Sequence, residues 1–402
     1  MSQAQYEQSE GYKNASVLSY AWVILAVVYI ASVAAALNQN KVPPIMPVLI
    51  EGFGISLSQA GLLMSIFSIT GLVLALPAGV ILQRLGAKVT GLIAMASLVI
   101  GSALGAMAGG LPMLLTSRVI EGVGLGLIAI VAPAVISFWF PPQKQGTPMG
   151  IWATWMPVGI ILMLLIAPWL GLTTGWQSVW WFGAIFALVA LVLYALLLRM
   201  PPGMAELDAA METPPLRQAL ANRDIWFLGL AFCCFNWVFM PITTYYVTFL
   251  TEMRGFSLAG ASQVVLLSTV AALISAPVSG LLSDRIGSRK RFLTIPFLLL
   301  AVMLLLPFRV EGWQIFVYMA IQGLVAGVVP PATFAAAPEV MSKPQLAGIG
   351  LAVVMLGQNL GMFVAPVIFG AMVEATSWTV AGLGLIPMAL LGFFAARQVR
   401  VR

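Results

Sequence analysis

The chain has 402 residues, 61% of them hydrophobic and only 8% charged, with a formal net charge of +6. A soluble domain carries roughly 25% charged residues, so the bilayer is the solvent here and a water-soluble fold is excluded. The basic residues stand singly between apolar runs, which excludes a nucleic-acid partner, and histidine, the commonest metal ligand and neutral-pH proton relay, is absent.

In chain order, Met1 to Ser19 form a polar tail with Glu7, Glu10 and Lys13, without the basic start, short apolar core and cleavage site of a signal peptide. The first apolar run is therefore expected to stay in place. A spanning helix needs about 20 apolar residues, and on that basis twelve follow. The first six are Tyr20–Ile50, Ser58–Gln83, Val89–Ala108, Leu111–Phe140, Gly146–Leu170 and Gln177–Leu198. The other six are Ile225–Thr251, Leu258–Ser283, Phe292–Phe308, Trp313–Ala337, Gln345–Val373 and Trp378–Ala396. The predicted class is an all-α membrane protein. Kinks are expected at Pro43, Pro44 and Pro47 and at Pro330 and Pro331. Cys233 and Cys234 lie side by side in an apolar run and read as packed, reduced thiols.

The two sets of six are copies. At an offset of 201 residues, half the chain, Gly54 pairs with Gly255, Ser56 with Ser257, Gly79 with Gly280, Gly86 with Gly287, Gly122 with Gly323 and Gly126 with Gly327. One offset over more than seventy residues indicates an internal repeat. The predicted domains are residues 20–199 and 225–396, joined by a charged, proline-rich linker over 200–224, with short tails at 1–19 and 397–402. Within the linker, Leu216 to Asn222 has the makings of a short surface helix. Fifteen of the nineteen Lys and Arg residues fall on the tails, the linker and the loops of one side, and only Arg254 and Arg309 on loops of the other. The positive-inside rule then puts both termini in the cytoplasm, with the chain in the cell's inner (plasma) membrane.

Between the second and third spans lies Gly79-Val80-Ile81-Leu82-Gln83-Arg84-Leu85-Gly86, and between the eighth and ninth Gly280-Leu281-Leu282-Ser283-Asp284-Arg285-Ile286-Gly287-Ser288-Arg289-Lys290-Arg291. With twelve spans, a two-fold repeat and a central linker, this Gly-x-x-x-Asp-Arg-x-Gly-x-Arg-Lys hairpin resembles the major facilitator superfamily. Arg118-x-x-x-Gly122-x-Gly124-x-Gly126 resembles its second recurring motif. The resemblance implies a transporter, not an enzyme, acting as a monomer on a small solute that binds near the midplane as two halves rock. It implies no cofactor. Met149-Gly150-Ile151-Trp152, Pro168-Trp169-Leu170 and Trp180-Trp181 resemble the cyanate-transporter branch of small-anion carriers. Two departures narrow the field. The Gly-Pro and paired-glycine pattern of drug–proton antiporters is missing from Gly150 to Gly159, and Asn38-Gln39 stands where anion–cation symporters carry Asp-Arg.

A charge within a span faces the bundle interior or a cavity, so Arg118 is the first candidate for substrate contact or gating. Its alternative is a structural pair with Glu121, one turn on. Glu121 is the candidate proton carrier, with a permanent pair to Arg118 as its alternative. Lys41, in Asn38-Gln39-Asn40-Lys41, reads as an anion-attracting group at the outer mouth or as a lysine snorkelling to headgroups. Asn236, Gln358 and Asn359 are amides near the midplane, and Trp152 is a candidate for the cavity wall alongside Trp155, Trp237, Tyr245 and Tyr246. For gating, the hairpins offer Gly79, Arg84, Gly280, Asp284 and Arg285. Asp284 is retained only in the second copy, where Gln83 is its counterpart, so Asp284→Asn is expected to impair transport beyond Gln83→Ala. Two cations against one buried acid favour a small organic or inorganic anion as solute. The rival is efflux of apolar or cationic compounds.

Overall fold

A computed structural model of the chain describes residues 15–74, 77–141, 144–199, 220–341 and 346–401. The first half holds α1 (Ala15–Gln39), a 3-10 turn (Pro43–Ile45), α2 (Met46–Phe53), α3 (Leu57–Leu74), α4 (Pro77–Ala106), α5 (Leu111–Trp139), α6 (Gly146–Trp152), α7 (Trp155–Thr173) and α8 (Gln177–Leu197). The second holds α9 (Arg223–Arg254), α10 (Leu258–Ile286), α11 (Arg289–Met303), α12 (Trp313–Ala326), α13 (Val329–Glu339), α14 (Ala347–Ala375), α15 (Trp378–Leu383) and α16 (Ile386–Gln398). Among the described residues eleven segments are long and apolar enough to cross a membrane. The predicted ninth, Phe292–Phe308, is the exception. Its helix α11 has 15 residues and ends at Met303.

Besides the first predicted span, which turns at Pro43–Ile45, three predicted spans are broken, each by a proline. Pro157 has no N–H for the Ala153 carbonyl four residues back, and the chain breaks at Ala153–Thr154 between α6 and α7. Pro331 does the same to Gly327, between α12 and α13, and Pro387 to Leu383, between α15 and α16. Of these three, only the second falls at a predicted kink. Pro43 and Pro44, also predicted, set the 3-10 turn that ends the α1 direction.

The repeat is visible in the backbone. Gly54 and Gly255 close α2 and α9 at φ 60° and 67°, and Gly86 and Gly287 turn the two hairpins at φ 73° and 67°. All four positions need the left-handed region, where glycine is unstrained. Ser56 and Ser257 both cap the following helix. Ser257 Oγ accepts from Gly260 N–H at 3.1 Å, and Ser56 exchanges bonds with Gln59 in a capping box. A Cβ on Gly122 would meet the Phe67 carbonyl, and one on Gly323 the carbonyl of Ser268, the repeat partner of Phe67. The same small residue lets α5 approach α3 and α12 approach α10.

The halves meet chiefly along two helix pairs, α3 with α14 and α7 with α10, which the repeat exchanges one for the other, and α2 and the 3-10 turn also touch α9. The α3–α14 seam is antiparallel and begins at the end marked by Gly54 and Gly255. There Gly370 is packed on the backbone of Ser58, and Gly61 faces the Pro366 carbonyl. Deeper, Met64, Met240 and Met362 pack together, and Gly71 lies against Asn359 Oδ1. From Ser58 to Gly71 the seam runs about 20 Å at 1.5 Å per residue.

Candidate functional site

The polar centre of the molecule lies wholly inside the first half, where α1, α4, α5 and α8 meet. α1 ends at Gln39, leaving the Asn38 and Gln39 carbonyls of its last turn without helical partners. Arg118 of α5 takes two of them: Nη1 donates to Asn38 O at 2.6 Å and Nη2 to Gln39 O at 2.7 Å. A cation against a helix C-terminus is also favoured by the helix dipole, and α1 has no basic residue of its own in its last turn. Arg118 Nε donates to Leu63 O of α3 at 3.0 Å, and its guanidinium lies over the Phe67 ring at 4.4 Å. One arginine thus fixes α1, α3 and α5 together.

Glu121, one turn along α5, receives two cations. Arg118 Nη1 donates to Oε2 at 2.7 Å, and Lys41 Nζ donates to Oε1 at 2.5 Å. The Lys41 ammonium uses its other two protons on Asn38 Oδ1 at 3.0 Å and Ser102 Oγ at 2.8 Å, and it sits 4.8 Å from the Trp180 ring. Asn38 in turn donates to the Ala34 and Gly183 carbonyls, and Ser102 to the Trp180 carbonyl. Lys41, Arg118 and Glu121 are each 0% exposed. The cluster holds two cations and one carboxylate, a formal net charge of one positive unit, closed off from the surface.

The structure brings Lys41, Asn38, Arg118 and Glu121 into this one cluster. Lys41 does not snorkel: the turn after α1 folds it inward. The remaining candidates stand apart. Asn236 bonds the Phe232 carbonyl of its own helix, Asn359 bonds Met355 O in the same way, and Gln358 Oε1 is buried without a partner. Trp152 donates to Ser32 Oγ at 2.9 Å and stacks on Trp155 with centroids 6.0 Å apart. Ser102 and Phe67 are contributors that the sequence reading passed over, and Trp180 entered it only through a resemblance. Ser102, a hydroxyl in the middle of a predicted span, carried a readable signal. The second half has no counterpart: Met319 and Gln322 replace Arg118 and Glu121, and Gln322 Oε1 accepts from Ser268 Oγ at 2.5 Å.

Of the hairpin residues, Arg84 and Arg285 are exposed, and a Cβ at Gly280 would meet open space. The surroundings of Gly79 and the side chain of Asp284 lie outside what the structure describes, as do residues 200–219 of the linker and with them most of Leu216 to Asn222. Arg289 of the same motif pairs with Glu339 at 2.9 Å, tying α11 to α13. Cys233 and Cys234 are buried free thiols.

The Major Facilitator Superfamily profile matches residues 28–276 and 255–401. The hexuronate transporter of Bacillus subtilis (strain 168) is 24% identical over 269 residues, covering 65% of this chain and 64% of that one. The probable sulfoacetate transporter SauU of Cupriavidus necator (strain ATCC 17699) is 23% identical over 288 residues, 66% of each chain. The chain thus spans just under two thirds of each of these relatives. Among solved structures, a bacterial homolog to the human lysosomal transporter Spinster, in an inward-facing and unoccupied conformation, superposes with a TM-score of 0.75 at 17% identity, covering 94% of this chain and 97% of that one. The helical fold, the repeat and the matches across both halves agree, and the chain belongs to the Major Facilitator Superfamily of multi-pass membrane transporters.

Proposed function

We propose that the protein moves a small organic or inorganic anion across the inner membrane by alternating access, as a single chain with both termini cytoplasmic. The observation that carries this reading is the charge of the buried cluster. Glu121 offsets one of the two cations, and the positive unit left over is costly in low dielectric without a counter-charge. An anionic solute supplies one. Hexuronate and sulfoacetate, named for two of the relatives, are anions. On this reading the Gly54/Gly255 end, where the seam is closed, faces outward. The cluster is reached in a different state of the cycle from the one described here. Asn236, Gln358, Asn359 and Trp152 are proposed for the solute's neutral parts, and Gly79, Arg84, Gly280, Asp284 and Arg285 for the cytoplasmic gate. Residues 20–199 and 225–396 move as the two bodies, and 200–224 links them.

Lys41→Met tests this most selectively. It removes the excess charge and leaves a one-to-one Arg118–Glu121 pair. In proteoliposomes the variant is expected to keep its folded yield and lose uptake of labelled small organic acids at least tenfold. Unchanged uptake would remove the cluster from substrate recognition. Coupling through Glu121 predicts in addition that an imposed pH gradient drives uptake. Uptake indifferent to the gradient would leave exchange or facilitated diffusion.

A further inference from the structure

The described hydrogen bonds that cross between the halves number three, and all lie at the Gly54/Gly255 end of the α3–α14 seam. Ser58 N–H, in the first turn of α3, donates to Glu374 Oε1 near the end of α14 at 2.8 Å. Ser58 Oγ donates to Val367 O at 3.3 Å. Tyr245 Oη, from α9, lies 2.9 Å from Leu57 O and 2.7 Å from Pro366 O. We infer that Glu374 and Tyr245 are gating residues, a clasp across this end that must part each time the halves rock. The inference rests on the alternating-access reading above.

Three features suit these contacts to a reversible role. First, Glu374 is a helix cap borrowed from the other half. The first N–H groups of α3 have no helical acceptor, and a carboxylate at a helix N-terminus is favoured by the dipole. Glu374 is solvent-exposed, so water can take its place when the seam opens. Second, the buried Tyr245 hydroxyl has one proton and two acceptors. When α3 leaves, it keeps Pro366 O, which belongs to its own half. Opening therefore strands no buried polar group, which would otherwise lose its hydrogen bond without a replacement. Third, Gly61 and Gly370, one from each half, allow the backbone approach that these bonds need: a Cβ on Gly370 would fall 2.6 Å from Tyr245 Oη and 2.8 Å from Ser58 N. The charged cluster around Glu121, by contrast, bonds only within the first half and forms no part of this clasp.

The test reads the distance across this end and needs no substrate, so its failure is separate from failure of the anion assignment. Spin labels at Glu51 and Thr376, both exposed, report the closed and open populations of the full chain in lipid nanodiscs. Tyr245→Phe and Glu374→Leu are expected to raise the open population roughly 2- to 10-fold, the range set by a net hydrogen bond. Glu374→Gln, which keeps an acceptor for Ser58 N–H, falls between them and the parent. Tyr246→Phe is the control: its hydroxyl bonds Pro307 O inside the second half, and the populations stay unchanged. The unmutated chain gives a second arm, because raising the salt screens the exposed Glu374–helix contact and increases the open fraction, an increase absent in Glu374→Gln. If Tyr245→Phe and Glu374→Leu leave the distribution at its parent value, or if Tyr246→Phe shifts it equally, the clasp is refuted.

Discussion

At the scale of single residues, the cluster makes a prediction about the order of damage. Breaking a buried ion pair by removing one partner costs about 3–5 kcal/mol, because the other charge is left uncompensated. Glu121→Gln leaves two cations facing each other, whereas Lys41→Met leaves a matched pair. Thermal unfolding in detergent should therefore rank Glu121→Gln well below Lys41→Met, and the reverse order would show that Lys41 contributes no charge to the cluster. Part of this site was legible in the sequence. Arg118 and Glu121 are three apart on one helix, so their meeting follows from helical geometry alone. Lys41 lies 80 residues from Glu121, and nothing local announces that contact. A straight helix from Tyr20 would carry Lys41 to the outer surface. The 3-10 turn at Pro43–Ile45 and the end of α1 at Gln39 redirect it instead.

The elements show why some features of the fold could be read in advance and others not. The paired glycines at one offset foretold the repeat because each does the same steric job twice, as Gly122 and Gly323 do against Phe67 and Ser268. The break between α6 and α7 was readable in principle, since Pro157 leaves Ala153 without a donor. Other prolines, such as Pro241 and Pro366, sit inside unbroken helices, so proline alone does not separate a kink from a break. The glycines differ in what substitution would do. Gly323→Ala drives a Cβ into the Ser268 backbone and should cost about 1–3 kcal/mol, the usual penalty of overpacking. Gly280→Ala meets open space and should leave the melting temperature within a degree or two of the parent. A Gly280→Ala chain that is stable but slow in transport would support a gating role for the hairpin, and a loss of stability equal to that of Gly323→Ala would contradict the packing described here.

On the scale of the whole molecule, charge and contact are divided unevenly between two otherwise similar halves. The first carries the sealed ionic cluster; the second carries Met319 and Gln322 in its place and an aromatic core around Tyr246, Phe249, Phe308 and Trp378. The halves meet chiefly along α3–α14 and α7–α10, and the hydrogen bonds described between them are confined to one end. Two bodies that are internally well bonded and only lightly bonded to each other are what a rocking transporter requires. The central claim is that the excess positive charge in the first half selects an anion, and competition for uptake into proteoliposomes tests it most directly. With a labelled small organic acid as tracer, unlabelled small anions should compete and lipophilic cations should not, and the competition should vanish with Lys41→Met. Transport of lipophilic cations, with no competition from anions, would contradict the account.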